Sequence, residues 1–153
     1  MIKKLDHRSI AVSEKIRSIF QASYAVEAKL LQAKDFPPLK RDIDGFLHSD
    51  TAFYGYYKNQ EMVAAIEIKD NKDATHIQSL VVAPEYFKQG IAQSLISYLF
   101  DTLDSTVYTV ETGAANQPAK RLYIKNGFIE IGHYNAEFDI KKVRFEKIIT
   151  TIP

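Results

Sequence analysis

The stretch "VVAPEYFKQGIAQSL", residues 81–95, decides the fold prediction. Its β-branched residues end a strand at Pro84, and an apolar run with helical periodicity begins near Gly90. The first N–H groups of a helix have no intrahelical partners, and the helix dipole favours an anion there. Gly90 leaves the backbone accessible and Lys88 adds positive charge, so the junction is a candidate phosphate site. Taken alone, a single glycine favours an ordinary strand-to-helix turn.

Strand and helix patterns alternate along the chain on both sides of this stretch. Helical patterns run from Ser13, around Phe46, from Gly90 and over residues 116–128. Strands are predicted at "MIKKLD", "TAFYGYYKN", "EMVAAIEIKD", "ATHIQSLVVAP", "STVYTVETG", "FIEIGHYNAEF" and "KKVRFEKIIT". No linker or repeat interrupts the order, which predicts a single α/β domain over residues 1–153 with at least one parallel strand pair.

The composition excludes several classes of function. Twenty basic and nineteen acidic residues give a net charge of +1, which argues against a nucleic-acid partner held by a strong positive field. The absence of cysteine excludes disulfides and thiolate nucleophiles, and the four histidines lack a metal-ligand spacing, so no metal is expected. No signal-like segment or membrane-length apolar run is present, so we expect a cytoplasmic protein without a membrane partner.

A second motif lies downstream in "NQPAKRLYIKNGF", residues 116–128. Together with the Gly90-x-Ala92 pair, it resembles the GCN5-related N-acetyltransferase (GNAT) family. The matching pattern is N-x-x-A-x-x-x-Y-x-x-x-G-F. In that family a Q/R-x-x-G-x-G/A loop binds the coenzyme A pyrophosphate, and Phe87 stands where the loop usually has Gln or Arg. The resemblance covers the whole chain.

The resemblance implies both a fold and an activity. The fold is a mixed, mostly antiparallel sheet with a splayed parallel strand pair and about four flanking helices. The activity is transfer of an acetyl group from acetyl-CoA to a primary amine of a small molecule, an amino acid derivative or a peptide. Dimers are common in the family, but nothing in this sequence locates an interface. The implied coenzyme contacts are Leu80, Val81, Val82, Phe87, Lys88, Gln89, Gly90, Ile91, Ala92, Gln93, Asn116, Ala119 and Tyr123.

Two of these residues have alternative structural roles. Tyr123 matches the family's general acid, which protonates the departing thiolate, but it also lies on an apolar helix face and could pack there. Asn116 matches a residue that contacts the pantetheine arm and is equally suited to cap a helix.

The sequence offers several candidates for the general base and does not choose between them. Strict alternation places His76 on one strand face with Gln78, Leu80 and Val82, and imidazole titrates near neutral pH. Two glutamates on neighbouring strands, Glu67 and Glu111, are rivals to His76, and a water-mediated path without a single base is a further alternative.

The acceptor is not readable from the sequence. Glu27, Asp35 and the tyrosines of "FYGYYK" suit a cationic or aromatic acceptor, but they also suit a solvated face and a packing strip. Two other functions remain as alternatives to the enzyme. One is a non-catalytic module that binds or senses acyl-CoA, and the other is a loop that binds a different phosphate ligand.

Overall fold

The computed structural model describes residues 1–149 and contains seven strands and four α-helices. The elements are β1 (Ile2–Lys4), α1 (Ile10–Leu31), α2 (Ile43–Leu47), β2 (Ala52–Lys58), β3 (Glu61–Asn71), β4 (Ala74–Val82), α3 (Ile91–Thr102), β5 (Val107–Gly113), α4 (Gln117–Lys125), β6 (Ile129–Asn135) and β7 (Lys141–Ile148). Every predicted element is present. The predicted last strand ended at Thr150, which lies outside the described residues, as do residues 151–153 of the predicted domain.

The seven strands form one sheet in the order β1-β2-β3-β4-β5-β7-β6. All neighbours are antiparallel except β4 and β5, so the predicted mixed, mostly antiparallel sheet with one parallel pair is confirmed. The hairpin between β2 and β3 turns at Asn59 and Gln60, both with positive φ. Such a pair is typical of two-residue hairpin turns.

The parallel strands β4 and β5 separate halfway along their length. They pair only from Ala74 opposite Val107 to Ile77 opposite Val110, whereas β4 stays paired with β3 as far as Val82. This is the splay that the family resemblance implied. Among residues 1–149, no strand neighbours that edge of β4 beyond Ile77.

A β-bulge at the start of the splay corrects one prediction. Ile77 lies opposite Ile68 and Ser79 lies opposite Glu67, so Gln78 is an extra residue in β4. An extra residue shifts the alternation of side chains by one position. Strict alternation of His76 with Leu80 and Val82 was therefore wrong, because Leu80 and Val82 share the face of Ile77.

The sheet carries a hydrophobic core on each face. One core lies between the sheet and the helices α3 and α4, and it includes Leu95, Leu99 and Phe145. The other lies under α1 and α2, where Ile16, Phe20 and Phe46 pack on the sheet. Residues of both cores line a cleft that opens at the splay. Within residues 1–149, no helix has both the length and the apolarity needed to cross a bilayer.

Candidate active site

A cleft of about 660 Å³ opens at the splay of β4 and β5. Its walls are the C-terminal half of α1, the first turn of α3 and the inner face of α4. This volume lies within the range of sites for small molecules and cofactors. Among the described residues, no group of three or more potential metal ligands is present.

Most of the residues implied as coenzyme contacts line this cleft. Val81 and Gln89 do not: the Val81 side chain is buried under α1, and Gln89 Oε1 accepts a hydrogen bond of 2.9 Å from Lys58 Nζ. Those that line the cleft are Leu80, Val82, Phe87, Lys88, Gly90, Ile91, Ala92, Gln93, Asn116, Ala119 and Tyr123.

The first turn of α3 forms one end of the cleft. Gly90 is the N-cap residue at φ +78°, and no side chain caps the helix. A Cβ at Gly90 would meet no atom within 4 Å, so the positive φ, and not crowding within the protein, is what favours glycine. The following Ile91 is buried and fixes the start of the helix in the core. This end of the cleft therefore presents free N–H groups and the positive end of the helix dipole.

The open edge of β4 forms the floor of the cleft. Ala83 N–H donates to Val63 O at 2.8 Å, on the side of β3. Because hydrogen-bonding direction alternates along an antiparallel strand, Val81 also bonds toward β3, while Leu80 and Val82 direct their N–H and C=O groups away from it. No strand in the described part of the chain, residues 1–149, pairs with that edge beyond Ile77. Two backbone donors are therefore held in place without a partner strand.

Tyr123 lies on α4 above this floor. Its ring is 5% exposed and packs against Phe128 and Phe145 at centroid distances of 5.6 and 5.8 Å. No described residue forms a hydrogen bond with its hydroxyl, and no fully buried side-chain polar atom within residues 1–149 lacks a partner, so the hydroxyl faces the cleft. Burial raises the pKa of Tyr123 above its ordinary range, with smaller contributions from Tyr24 and Glu27. The phenol therefore carries its proton at neutral pH.

His76 and Glu67, two of the three candidates for the base, lie outside the cleft. His76 Nδ1 is 2.8 Å from Thr109 Oγ1 in the paired part of the sheet, and burial lowers the pKa of His76. Glu67 is fully buried. Its carboxylate accepts hydrogen bonds from Arg41 at 2.8 and 3.0 Å, from Thr51 at 2.6 Å and from Ser79 at 2.9 Å.

Glu111, the third candidate, lines the cleft. It lies one residue beyond Val110, where β5 has just separated from β4. Its Oε2 accepts hydrogen bonds from Arg144 Nε and Nη2 at 3.2 and 3.0 Å. Of the three groups, Glu111 alone is positioned to meet a molecule in the cleft.

The wall opposite the coenzyme loop is made of side chains on α1. Glu27 Oε1 accepts a hydrogen bond from Asn116 Nδ2 at 2.7 Å and one from Thr112 Oγ1 at 3.4 Å. Asn116 also caps α4, because its Oδ1 accepts from Ala119 N–H at 3.2 Å. The predicted cap is confirmed, but the amide of Asn116 is turned toward α1.

The cleft also contains side chains that the sequence did not indicate, among them Tyr24, Arg41, Thr112 and Lys142. Tyr24 falls on the apolar stripe of α1 and reads as a core residue. Arg41 follows two prolines, and its sequence context indicates only a loop. The only signal for Thr112 was its position beside Glu111 on a strand.

The fold and the cleft define the class of protein: an α/β fold with a splayed sheet, an uncapped helix start and a buried tyrosine above free backbone donors. The model of the Acetyltransferase (GNAT) family matches residues 13–128. The chain therefore belongs to the GNAT family of acetyltransferases.

Curated relatives resemble the chain over most of its length. It is 29% identical over 129 residues to the UPF0157 protein YqkA of Bacillus subtilis, covering 84% of this chain but only 38% of that protein. It is also 29% identical over 119 residues to a streptothricin acetyltransferase of Escherichia coli, covering 74% of this chain and 68% of that protein.

Solved structures share the fold. The ribosomal-protein-S18-alanine N-acetyltransferase of Escherichia coli superposes with a TM-score of 0.78 at 20% identity, over 100% of this chain and 96% of the other. The PaiA N-acetyltransferase of Thermoplasma acidophilum, solved in complex with coenzyme A, superposes with a TM-score of 0.75 at 17% identity, over 97% and 98%.

Proposed function

We propose that the protein transfers the acetyl group of acetyl-CoA to a primary amine of a small molecule, an amino acid derivative or a peptide. The observation that carries the proposal is the open edge of β4 below Tyr123. Acetyl transfer requires donors for the developing charge on the thioester oxygen and a proton for the leaving thiolate. The free backbone groups of Leu80 and Val82 supply the first, and the Tyr123 hydroxyl supplies the second.

The coenzyme fits the cleft by charge and by shape. The start of α3 at Gly90 offers uncapped N–H groups to a pyrophosphate, and Lys88 lines the same end of the cleft. Gln93, also implied as a contact, exchanges two hydrogen bonds with Asn126 at the end of α4, at 2.6 and 2.8 Å. This amide pair holds the two helices that flank the proposed coenzyme at a fixed separation.

The residues of the cleft divide the proton transfers of the reaction between them. Glu111 accepts the proton that the acceptor amine loses, because it is the candidate base that lines the cleft. The amine nitrogen forms a bond to the acetyl carbon, and the bond from that carbon to sulfur breaks. The sulfur then takes the proton of the Tyr123 hydroxyl. The Tyr123 phenolate regains a proton from solvent and Glu111 releases its proton to solvent, so the net products are the amide and the free thiol.

The name of one relative also bears on the acceptor. The match to the streptothricin acetyltransferase covers 74% of this chain, and that name denotes acetyl transfer to streptothricin. A small-molecule amine is therefore the acceptor class to test first.

The experiment combines acetyl-CoA binding with thiol release. Acetyl-CoA at 100 times its Kd should stabilise the protein by about 2.7 kcal/mol in a thermal unfolding assay. Addition of a panel of primary amines should then release free thiol. Stabilisation without release from any amine would favour a non-catalytic sensor, and absence of stabilisation would contradict both functions.

A matched pair of glycine substitutions locates the binding. Gly90→Val places a β-branched residue at φ +78°, a conformation that costs about 1–3 kcal/mol for residues other than glycine. It should weaken acetyl-CoA binding by about tenfold, because strain distorts the start of α3. Gly132→Val adds the same side chain on β6, where a Cβ also meets no atom within 4 Å and φ is ordinary, and binding should not change. Equal affinities for the two variants would exclude the α3 loop as the site.

A further inference from the structure

Three carboxylates lie in or beside the cleft, and they differ in their partners. Glu67 is paired with Arg41 at 2.8 Å, and Glu111 is paired with Arg144 at 3.0 Å. Glu27 lines the cleft and forms no ion pair within 4 Å with any residue in the described part of the chain. A carboxylate in a sheltered site is stable only with a positive partner or with hydrogen bonds to its oxygens.

The hydrogen bonds to Glu27 satisfy one oxygen only. Asn116 Nδ2 and Thr112 Oγ1 both donate to Oε1, and no described residue donates to Oε2. No fully buried side-chain polar atom within residues 1–149 lacks a partner, so Oε2 is accessible from the cleft. The fixed oxygen sets the direction of the free one, which makes Glu27 a preoriented acceptor for a group in the cleft.

The negative charge of Glu27 is only partly compensated by its neighbours. Burial is the main cause that raises the pKa of the Glu27 carboxyl, and it outweighs the two hydrogen bonds and the more distant charge of Lys142 on β7. The protein therefore does not fully compensate the negative charge. An ammonium beside Oε2 would complete the compensation, because a charge-assisted hydrogen bond is strongest where water is excluded.

The position of Glu27 matches the acceptor side of the cleft. It lies on α1, close enough to Tyr123 on α4 to raise the pKa of that phenol, whereas the proposed phosphate site lies at the start of α3. Tyr24 lies three residues earlier on α1, so it neighbours Glu27 on the helix surface, and it lines the same wall. A carboxylate next to an aromatic ring is a suitable environment for an organic cation.

We propose that Glu27 binds a second, non-reacting ammonium group of the acceptor, so that the enzyme prefers acceptors with two or more amines. The inference deepens the proposed function and depends on it. The reacting amine lies between Tyr123 and Glu111, and the second ammonium donates a hydrogen bond to Glu27 Oε2. A carboxylate on the acceptor at the same distance would be repelled by Glu27.

Three probes of equal chain length test this preference: 1,5-diaminopentane, 5-amino-1-pentanol and 5-aminopentanoate. They present a cationic, a neutral and an anionic end beside the same primary amine. Binding is measured by calorimetry with coenzyme A present, which requires no chemistry, and thiol release from acetyl-CoA is measured separately. The wild-type protein should bind the diamine about tenfold more tightly than the amino alcohol, and should bind the amino acid most weakly.

Glu27→Gln should remove the preference and leave the amino alcohol bound as in the wild type. Glu14→Gln, which removes the same charge from an exposed site on the same helix, should leave the preference intact. In the kinetic assay the loss for the diamine should lie in KM and not in kcat.

Equal affinity of the wild-type protein for the three probes would overturn the proposal, as would a Glu27→Gln variant that retains the preference. A loss confined to kcat would also overturn it, because Glu27 would then be acting as a base. Failure of the proposed function is a separate result: preferential binding of the diamine with no thiol release from any amine.

Discussion

The two ends of the cleft are built from different chemical groups. The end proposed for the coenzyme is mainly backbone: the free edge of β4 at Leu80 and Val82, and the uncapped first turn of α3 after Gly90. The end proposed for the acceptor is mainly side chains on α1 and the loop that follows it, among them Glu27 and Arg41. Backbone groups are available in any sequence that keeps the bulge, the glycine and the splay. The acceptor wall depends on particular side chains and on the ion pairs that hold them, so substitutions should affect the two ends differently.

The largest effect is expected at Arg41, which fixes the acceptor wall to the sheet. Its guanidinium forms two hydrogen bonds with the fully buried Glu67 and lies 4.1 Å from the ring centroid of Phe46. Arg41→Met would leave the Glu67 carboxylate buried without its cation, which costs about 3–5 kcal/mol. The free energy of unfolding in urea measures the loss.

Arg144→Met is the control for this prediction, because it also breaks an ion pair. The Arg144 side chain is largely exposed where it contacts Glu111, so its loss should cost at most about 1 kcal/mol. The double variant Arg41→Met with Glu67→Met should recover part of the stability, because no unpaired charge stays in the core. Similar losses for the two single variants would show that the Arg41 pair does not anchor the wall.

The second effect separates chemistry from binding at the coenzyme end. Tyr123→Phe keeps the ring packed on Phe128 and removes only the hydroxyl that faces the cleft. Turnover should fall by about tenfold or more, because general acid catalysis is typically worth ~100-fold or above. The Kd for acetyl-CoA should change little, since the proposed binding groups are on the backbone.

Tyr108→Phe provides the matched control. Tyr108 is also buried, but its hydroxyl donates to Leu99 O at 3.3 Å in the core under α3, outside the cleft. This substitution should lower stability slightly and leave turnover per folded molecule unchanged. Unchanged turnover in Tyr123→Phe would remove the phenol from the mechanism.

The contrast between the two ends also explains what the sequence could predict. The order of elements and the cap at Asn116 depend on local rules, and the sequence predicted each of them. The strand-to-helix junction at Gly90 was readable for the same reason, since a strand end, a glycine and a helical stripe are adjacent in the chain. Residues that act through their own backbone or their near neighbours leave a local signal.

The sequence could not predict which face of β4 His76 shares with the residues beyond the bulge. One extra residue at Gln78 reverses the alternation, and nothing local marks it, because the bulge follows from pairing with β3. The ion pair of Arg41 with Glu67 joins residues 26 positions apart in sequence, and the hydrogen bond from Asn116 to Glu27 joins residues 89 apart. Such contacts are set by tertiary packing. The sequence could therefore name Glu27 as a candidate for the acceptor side but could not show which groups lie beside it.

The smallest effect is expected at Phe87, where the chain departs from the loop pattern of the family. Phe87 lines the cleft and is 38% exposed, so an arginine there can extend without displacing the core. Phe87→Arg should tighten acetyl-CoA binding by about threefold, because an exposed ion pair is worth only ~0.2–1 kcal/mol. The gain should shrink at high salt, where exposed charges are screened.

Ile129→Arg places the same charge on an exposed site of β6 and should leave binding unchanged. If Phe87→Arg binds acetyl-CoA no more tightly than the wild type, the backbone amides and Lys88 already satisfy the phosphates. Coenzyme binding would then depend almost entirely on main-chain groups, which would sharpen the contrast with the acceptor wall of side chains.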